Sequence, residues 1–224
     1  MKTFVLKVLS YFAPICLQKI YSPINGWLEI NLLAGKKVLD TSKSNFSYGS
    51  LQRILRRGLE EVDFSHIHNV LVLGAGGGSI VPTLRKDFQC LAPIYLVDID
   101  EVVIRIAQEH FGLNQENNLC FFQSDAKEFL ATTSNYFDLI VVDIFIEDTV
   151  PQKFLNISFW ELVISRLSTH GYLLFNTMRH TTPIDALPTL QKFLNSKKFS
   201  VQILEQIECT NDILVAYQKS MKIA

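Results

Sequence analysis

From residue 69 onwards, apolar strand-like segments alternate with amphipathic helix-like segments. The strand-like segments are, in chain order, VLVLG, IYLVDID, LCFFQSD, FDLIVVDIF, GYLLFNT, SVQILEQIE and DILVAYQK. This alternation is typical of a mostly parallel sheet that is covered by helices on both faces. Only CTN joins the last two segments, which is too short for a helical crossover, so the last strand must run antiparallel. We therefore predict an α/β fold with a seven-stranded, mostly parallel sheet and an antiparallel last strand.

Two shorter segments precede this domain, which we assign to residues 51–224. Residues 1–20 are predicted to form an amphipathic helix that packs on the domain or on another subunit. A cleaved signal or a membrane-surface helix is less favoured, because Lys7 interrupts the apolar stretch and no A-x-A site follows. Residues 21–50 contain short β-type runs separated by Asn25-Gly26 and Ala34-Gly35, which predicts a small β-hairpin module.

The composition argues against several kinds of partner. A formal net charge of −1 and a pI near 6.5 indicate no excess of basic residues, so we expect no nucleic-acid partner. The cysteines are scattered and the histidines lack metal-ligand spacing, so we expect neither a disulfide scaffold nor a metal site. These features fit a cytoplasmic protein with no membrane partner, and the N-terminal helix leaves a homodimer open.

The first strand of the main domain ends in a glycine-rich loop. Gly74, Gly76 and Gly78 form G-x-G-x-G between the strand and the next helix, where a ligand can approach the backbone and the helix N–H groups. The dinucleotide fingerprint G-x-G-x-x-G is only partly matched, because its third glycine is Ser79 here. A tight turn without a ligand is the alternative interpretation.

Aspartates follow the next three strands. Asp98, Asp125 and Asp143 are therefore predicted to lie at the carboxyl edge of the sheet, where open α/β folds bind ligands. The alternative is that Asp98, Asp100 and Asp125 cap the helices that follow them. Capping explains Asp100 well but Asp143 poorly, since no helix begins beside Asp143.

These residues together resemble the class I S-adenosylmethionine-dependent methyltransferases, and within them the spermidine synthase-like branch. The resemblance implies a Rossmann-like sheet, preceded by a small β domain that matches residues 21–50. It also implies a cofactor, S-adenosylmethionine or its decarboxylated form, with the glycines at the methionine part, Asp98 on the ribose and Asp125 at the adenine amino group. The implied cofactor-binding residues are Gly74, Gly76, Gly78, Asp98, Asp125 and Ala126.

The same resemblance implies two residues at the reacting end of the site. Asp143 would lie near the reacting sulfonium, and Tyr48 in NFSYGS matches a family tyrosine at the substrate end. Two positions depart from the spermidine synthases, which carry acids in the loop G-G-G-D-G-G and at the second acid of D-S-S-D-P. These positions are Gly77 and Ile146 here, so the nucleoside site is retained and the polyamine site is not.

Three functions are compatible with this pattern. The first is a methyltransferase acting on an unknown small-molecule acceptor, in which Asp143 and Tyr48 orient the acceptor. The second is an aminopropyltransferase that uses decarboxylated S-adenosylmethionine, for which Glu147 and Asp148 are the nearby acids available to a diamine. The third is a non-catalytic nucleoside-binding or interaction protein, with the N-terminal helix as a partner surface.

Overall fold

The computed structural model describes residues 2–41 and 45–218, which form two sheets and their covering helices. The strands are β1 (Ile15–Ser22), β2 (Gly26–Leu33), β3 (Lys36–Thr41), β4 (Asn45–Ser47), β5 (Val70–Leu73), β6 (Ile94–Asp98), β7 (Leu119–Gln123), β8 (Phe137–Val142), β9 (Leu167–Met178), β10 (Phe199–Ile207) and β11 (Asn211–Gln218). The helices are α1 (Lys2–Leu9), α2 (Ser50–Leu59), α3 (Ile80–Pro82), α4 (Glu101–His110), α5 (Ala126–Thr132), α6 (Ile157–Ser165) and α7 (Ala186–Ser196). Helix α3 continues as a wider π-type turn over Thr83–Asp87.

The large sheet has seven strands in the order β10-β11-β9-β8-β5-β6-β7. Strands β9, β8, β5, β6 and β7 run parallel, and β11 runs antiparallel to both β9 and β10. Strands β5 and β8 lie at the centre of the sheet and are apolar except for Asp138 near the start of β8, because helices cover both faces of the sheet. The predicted fold class, including the antiparallel last strand, is confirmed.

The N-terminal region differs from the sequence prediction. The helix expected over residues 1–20 stops at Leu9, and residues 15–22 form β1, which pairs with β2. Pro14 lies between the two elements, where its ring and missing N–H prevent the helix from continuing. The described side chains of α1 from Phe4 to Leu9 are exposed, so α1 does not pack on the domain of its own chain, and packing on another subunit stays a prediction.

The expected β-hairpin module is a four-stranded antiparallel sheet in the order β1-β2-β3-β4. It starts at Ile15, before the predicted boundary at residue 21. Its apolar face packs on α4, with Leu28, Ile30 and Leu39 against Val103 and Ile106. Residues 42–44 of this module and 219–224 of the predicted main domain lie outside the described residues, as does residue 1.

A hydrogen-bond cluster fastens the small sheet to the large domain. The Ser22 hydroxyl donates to Asp100 Oδ2, and Asn25 Nδ2 donates to the same oxygen over 2.6 Å. Ser22 Oγ in turn accepts the backbone N–H groups of Ile24 and Asn25. The turn between β1 and β2 is thereby held at the start of α4.

Within the described residues, no helix combines the length and the apolar character needed to cross a bilayer.

Candidate active site

A cavity of about 410 Å³ opens at the carboxyl ends of β5, β6 and β8. Its volume lies within the range of small-ligand sites, and its position is where open α/β sheets bind ligands. The predicted site residues that line it are Gly74, Gly76, Asp98, Asp125, Ala126 and Asp143. Residues from α2 and from the β1–β2 turn, including Leu51, Ile24 and Asn25, complete the wall.

Two of the loop glycines are required by the backbone itself. Gly74 has φ +87°, and a Cβ there would lie 2.1 Å from the carbonyl oxygen of Asp143. Gly78 has φ +75°, and a Cβ there would lie 2.1 Å from Leu113 Cδ1. Gly78 is not among the residues that line the cavity. The tight-turn interpretation therefore accounts for Gly78, whereas Gly74 and Gly76 also border the cavity.

Ser47 fills the space next to Gly77. A Cβ added to Gly77 would lie 2.8 Å from Ser47 Cβ and 2.9 Å from its Oγ. Ser47 is buried, and its Oγ accepts the backbone N–H of Ser79 over 3.4 Å. A carboxylate at position 77 thus has no room unless β4 moves.

Asp98 is buried at the end of β6 and faces the glycine loop. Its Oδ2 accepts the Gly76 N–H over 3.1 Å, and its Oδ1 accepts the Asp100 N–H over 2.9 Å. Burial raises the pKa of Asp98 to about 6, although these backbone N–H groups act in the opposite direction. Asp98 does not cap α4; that role belongs to Asp100, whose Oδ1 accepts the Val102 N–H.

Asp125 caps a helix, as the alternative interpretation expected, and also lines the cavity; its role at the adenine amino group stays a prediction. Its Oδ1 caps α5 by accepting the N–H groups of Lys127 and Glu128, and its Oδ2 accepts from Lys153 Nζ over 2.5 Å. Burial alone would raise the pKa of Asp125, but the bonds from Lys153 and from the helix N–H groups lower it below its ordinary value. Asp125 is therefore a charged edge of the cavity that is already paired with a cation.

Asp143 follows β8 and lies between the glycine loop and β9. Its backbone N–H donates to the Leu73 carbonyl over 2.8 Å, and Asn176 Nδ2 donates to its Oδ1 over 2.8 Å. Burial raises the pKa of Asp143 to about 6, partly offset by the Asn176 bond, and the charge of Asp98 raises it further. Asp98 and Asp143 thus form a pair of interacting carboxyl groups along one wall of the cavity.

The structure does not bring Tyr48 to the cavity. Its ring stacks on Phe111, with centroids 4.5 Å apart, and burial raises the pKa of its hydroxyl above the ordinary value. Tyr48 is not among the lining residues, in contrast to the sequence expectation that it orients an acceptor. Phe111 directly follows α4, so the ring of Tyr48 packs at the end of that helix.

Several polar residues of the cavity wall were not predicted from the sequence, among them Asn25, Lys153, Asn176 and Asn211. Asn176 follows the same rule as the aspartates, since it lies near the carboxyl end of a parallel strand, but the analysis considered only acids there. Asn25 and Lys153 carry no sequence signal, because each reaches the cavity through long-range contacts with Asp100 and Asp125.

The loop after β8 contributes both apolar and acidic residues to the cavity wall. Ile146 lines the cavity, is 52% exposed and pairs with Thr149 in a short antiparallel bridge. Glu147 and Asp148 follow it in the wall.

Within the described part of the chain, no cluster of three or more His, Cys, Asp or Glu has the arrangement of a metal site.

The chain matches a family model described as the spermine/spermidine synthase domain over residues 58–214. It is 31% identical over 118 residues to an eEF1A lysine and N-terminal methyltransferase from Danio rerio, which covers 48% of this chain and 17% of the relative. It is 33% identical over 81 residues to a polyamine aminopropyltransferase from Alkaliphilus oremlandii, which covers 34% of this chain and 28% of the relative. The chain therefore spans less than a third of the length of these curated relatives.

Solved structures share the fold. A probable spermidine synthase from Corynebacterium glutamicum superposes with a TM-score of 0.63 at 17% identity, covering 91% of this chain and 79% of that one. Human methyltransferase-like protein 13 in complex with SAH superposes with a TM-score of 0.58 at 22% identity, covering 77% and 83%. At these identities the likeness establishes the fold and not the reaction.

Proposed function

Because the chain belongs to the spermine/spermidine synthase family, we propose that it is a transferase that takes S-adenosylmethionine as the methyl donor for a small-molecule acceptor. A sulfonium donor is already activated, so a protein mainly needs to align the acceptor and exclude water. The residues around the cavity fit such a donor. Asp98 offers a buried carboxylate to ribose hydroxyls, and the Gly74–Gly76 backbone leaves room beside it.

The close approach of Ser47 to Gly77 is the observation that favours methyl transfer over aminopropyl transfer. Spermidine synthases carry an acid at the position of Gly77, and Ser47 occupies the space that its side chain would need. The second family acid is replaced by Ile146 at the cavity mouth. A diamine brings ammonium groups whose burial without partners costs several kcal/mol per ion. The loss of both acids therefore favours an acceptor that is neutral or anionic, or one that already presents a neutral nucleophile.

One observation favours aminopropyl transfer as the second candidate. Glu147 and Asp148 lie in the cavity wall close to Ile146, and Lys153 beside them is already paired with Asp125. This acidic wall suits a cationic acceptor. A non-catalytic nucleoside-binding protein is the third candidate, since Asp98 and the glycine loop serve binding alone equally well.

Titration calorimetry compares the affinity of the protein for S-adenosylmethionine with its affinity for the decarboxylated form, and so distinguishes the two possible donors. We expect S-adenosylmethionine to bind more tightly, because the decarboxylated donor has lost its α-carboxylate and carries one more net positive charge, and no carboxylate at position 77 is available to pair with its ammonium group. A parallel assay mixes the protein with putrescine and the decarboxylated donor and follows spermidine by chromatography. Turnover of about 1 per second or faster that collapses in Glu147→Gln or Asp148→Asn would overturn the methyltransferase proposal and establish the second candidate.

A further inference from the structure

Three side-chain hydrogen bonds run in series across the carboxyl edge of the sheet and end on Asp143. Thr210 Oγ1 donates to Asn211 Oδ1 over 2.7 Å, and Asn211 Nδ2 donates to Asn176 Oδ1 over 2.9 Å. Asn176 Nδ2 then donates to Asp143 Oδ1 over 2.8 Å. The series crosses from β11 through β9 to the residue after β8, and both asparagines are buried.

The direction of these bonds follows from the charge on Asp143. An ionised carboxylate only accepts hydrogen bonds, so the amide nitrogen of Asn176 must face it. The amide oxygen of Asn176 then faces Asn211, which must present its own nitrogen. The remaining oxygen of Asn211 accepts from the Thr210 hydroxyl. Each donor in the series therefore points towards Asp143, whose Oδ1 accepts the last hydrogen bond.

We propose that Asn176 and Asn211 are positioning residues that act in series on Asp143, holding its carboxylate ionised and oriented with Oδ2 presented to the cavity. This inference rests on the proposed function at one point only, namely that Oδ2 would face the donor and the acceptor. Asp143 lines the cavity in which these two molecules would meet. Asn176 is the group that contacts Asp143. Asn211 acts through Asn176, whose rotation it prevents by donating to its amide oxygen.

The charged surroundings of Asp143 explain why such support is needed. Burial and the nearby Asp98 both favour the neutral form of Asp143, and Glu147 and Asp148 add negative charge to the same cavity wall. Lys153 is the cation in that wall, and it is paired with Asp125. The bond from Asn176 opposes these effects.

The test follows the titration of the Asp143 carboxyl by NMR of ligand-free protein labelled in its aspartate carboxyl groups, with the signal assigned from Asp143→Asn. Asn176→Leu should move the midpoint upwards by about one pH unit or more, since a charge-assisted hydrogen bond is lost. Asn211→Leu should move it in the same direction by a smaller amount, although Asn211 does not touch Asp143. Thr177→Val is the matched control. It removes a buried hydrogen bond from the same strand, to the Asp212 carbonyl, and should leave the midpoint unchanged.

The outcomes separate the proposal from its alternatives. An unchanged midpoint in Asn211→Leu would show that Asn211 is merely structural and would overturn the series. An unchanged midpoint in Asn176→Leu would overturn the proposal altogether, and Asn176→Ser serves the same purpose if the leucine variant does not fold. Because the measurement uses ligand-free protein, failure to bind S-adenosylmethionine would contradict the proposed function without altering this result.

Discussion

Four aspartates at the carboxyl edge of the sheet perform different tasks, although they are the same residue type. Asp100 and Asp125 cap helices, while Asp98 is buried and Asp143 is half-buried, and the pKa values of these two are raised to about 6. Their positions after the strands are visible in the sequence, because strand ends follow from hydrophobic patterning. Their different roles depend on partners such as Asn176 that lie 33 residues away in the chain, and patterning does not reveal such pairs.

The first prediction concerns Asp98. We expect Asp98→Ala to weaken S-adenosylmethionine binding by about 1.5 to 3 kcal/mol, because ribose hydroxyls would lose a charged acceptor. Calorimetry measures the effect. Asp138→Ala is the matched control, since Asp138 also accepts two backbone N–H groups but lies at the amino end of β8. Equal affinities of folded Asp98→Ala and Asp138→Ala would refute the assignment of Asp98 to the ribose.

The second prediction tests the space beside Gly77. Gly77→Asp should lower the free energy of unfolding by about 1 to 3 kcal/mol, as expected for an overpacked site. The added Cβ would meet Ser47 at 2.8 Å. In the double variant, Ser47→Gly should restore part of the lost free energy of unfolding, so the effects of the two substitutions should not be additive. Urea denaturation of the four proteins completes the cycle, and strict additivity would show that Ser47 does not exclude an acid at position 77.

At the scale of elements, the presence and direction of the strands were predictable where local patterning and connection length decide them. The short CTN connection was enough to orient β11, and the apolar runs located β5 and β8. The N-terminal elements were not predictable in the same way. Residues 15–22 carry an apolar pattern that suits a helix or a strand, and pairing with β2 selects the strand. The wall supplied by the β1–β2 turn depends on the long-range bonds from Ser22 and Asn25 to Asp100.

The third prediction concerns that turn. Ser22→Ala removes the acceptor of two backbone N–H groups and the donor to Asp100, which should cost about 1 to 3 kcal/mol of stability. Donor affinity should also fall, because Ile24 and Asn25 line the cavity. Ser165→Ala is the control, since Ser165 is exposed and bonds only within the end of α6. If both variants keep wild-type affinity, the turn does not support the site.

At the scale of the whole molecule, the cavity brings several carboxyl groups together in a chain that is almost neutral. The formal net charge is −1, yet Asp98, Asp143, Glu147 and Asp148 all line the cavity, and burial raises the pKa of Asp98 and Asp143. Burying carboxyl groups that prefer to be neutral reduces stability at neutral pH. The cationic sulfonium donor proposed above would offset this cost when it binds.

The fourth prediction is that the ligand-free protein becomes more stable as the pH falls from about 7 to about 4.5. Asp98 and Asp143 have folded-state pKa values of about 6, above the ordinary value of 3.8. Between these values the folded state binds more protons than the unfolded state, so stability decreases as the pH rises through this window. Each shift corresponds to about 2 to 3 kcal/mol at most, at 1.36 kcal/mol per pKa unit. Urea denaturation across the window measures the effect. Asp143→Asn keeps an oxygen for Asn176 and should remove its share of the dependence, whereas a stability that rises with pH in the wild type would contradict the raised pKa values.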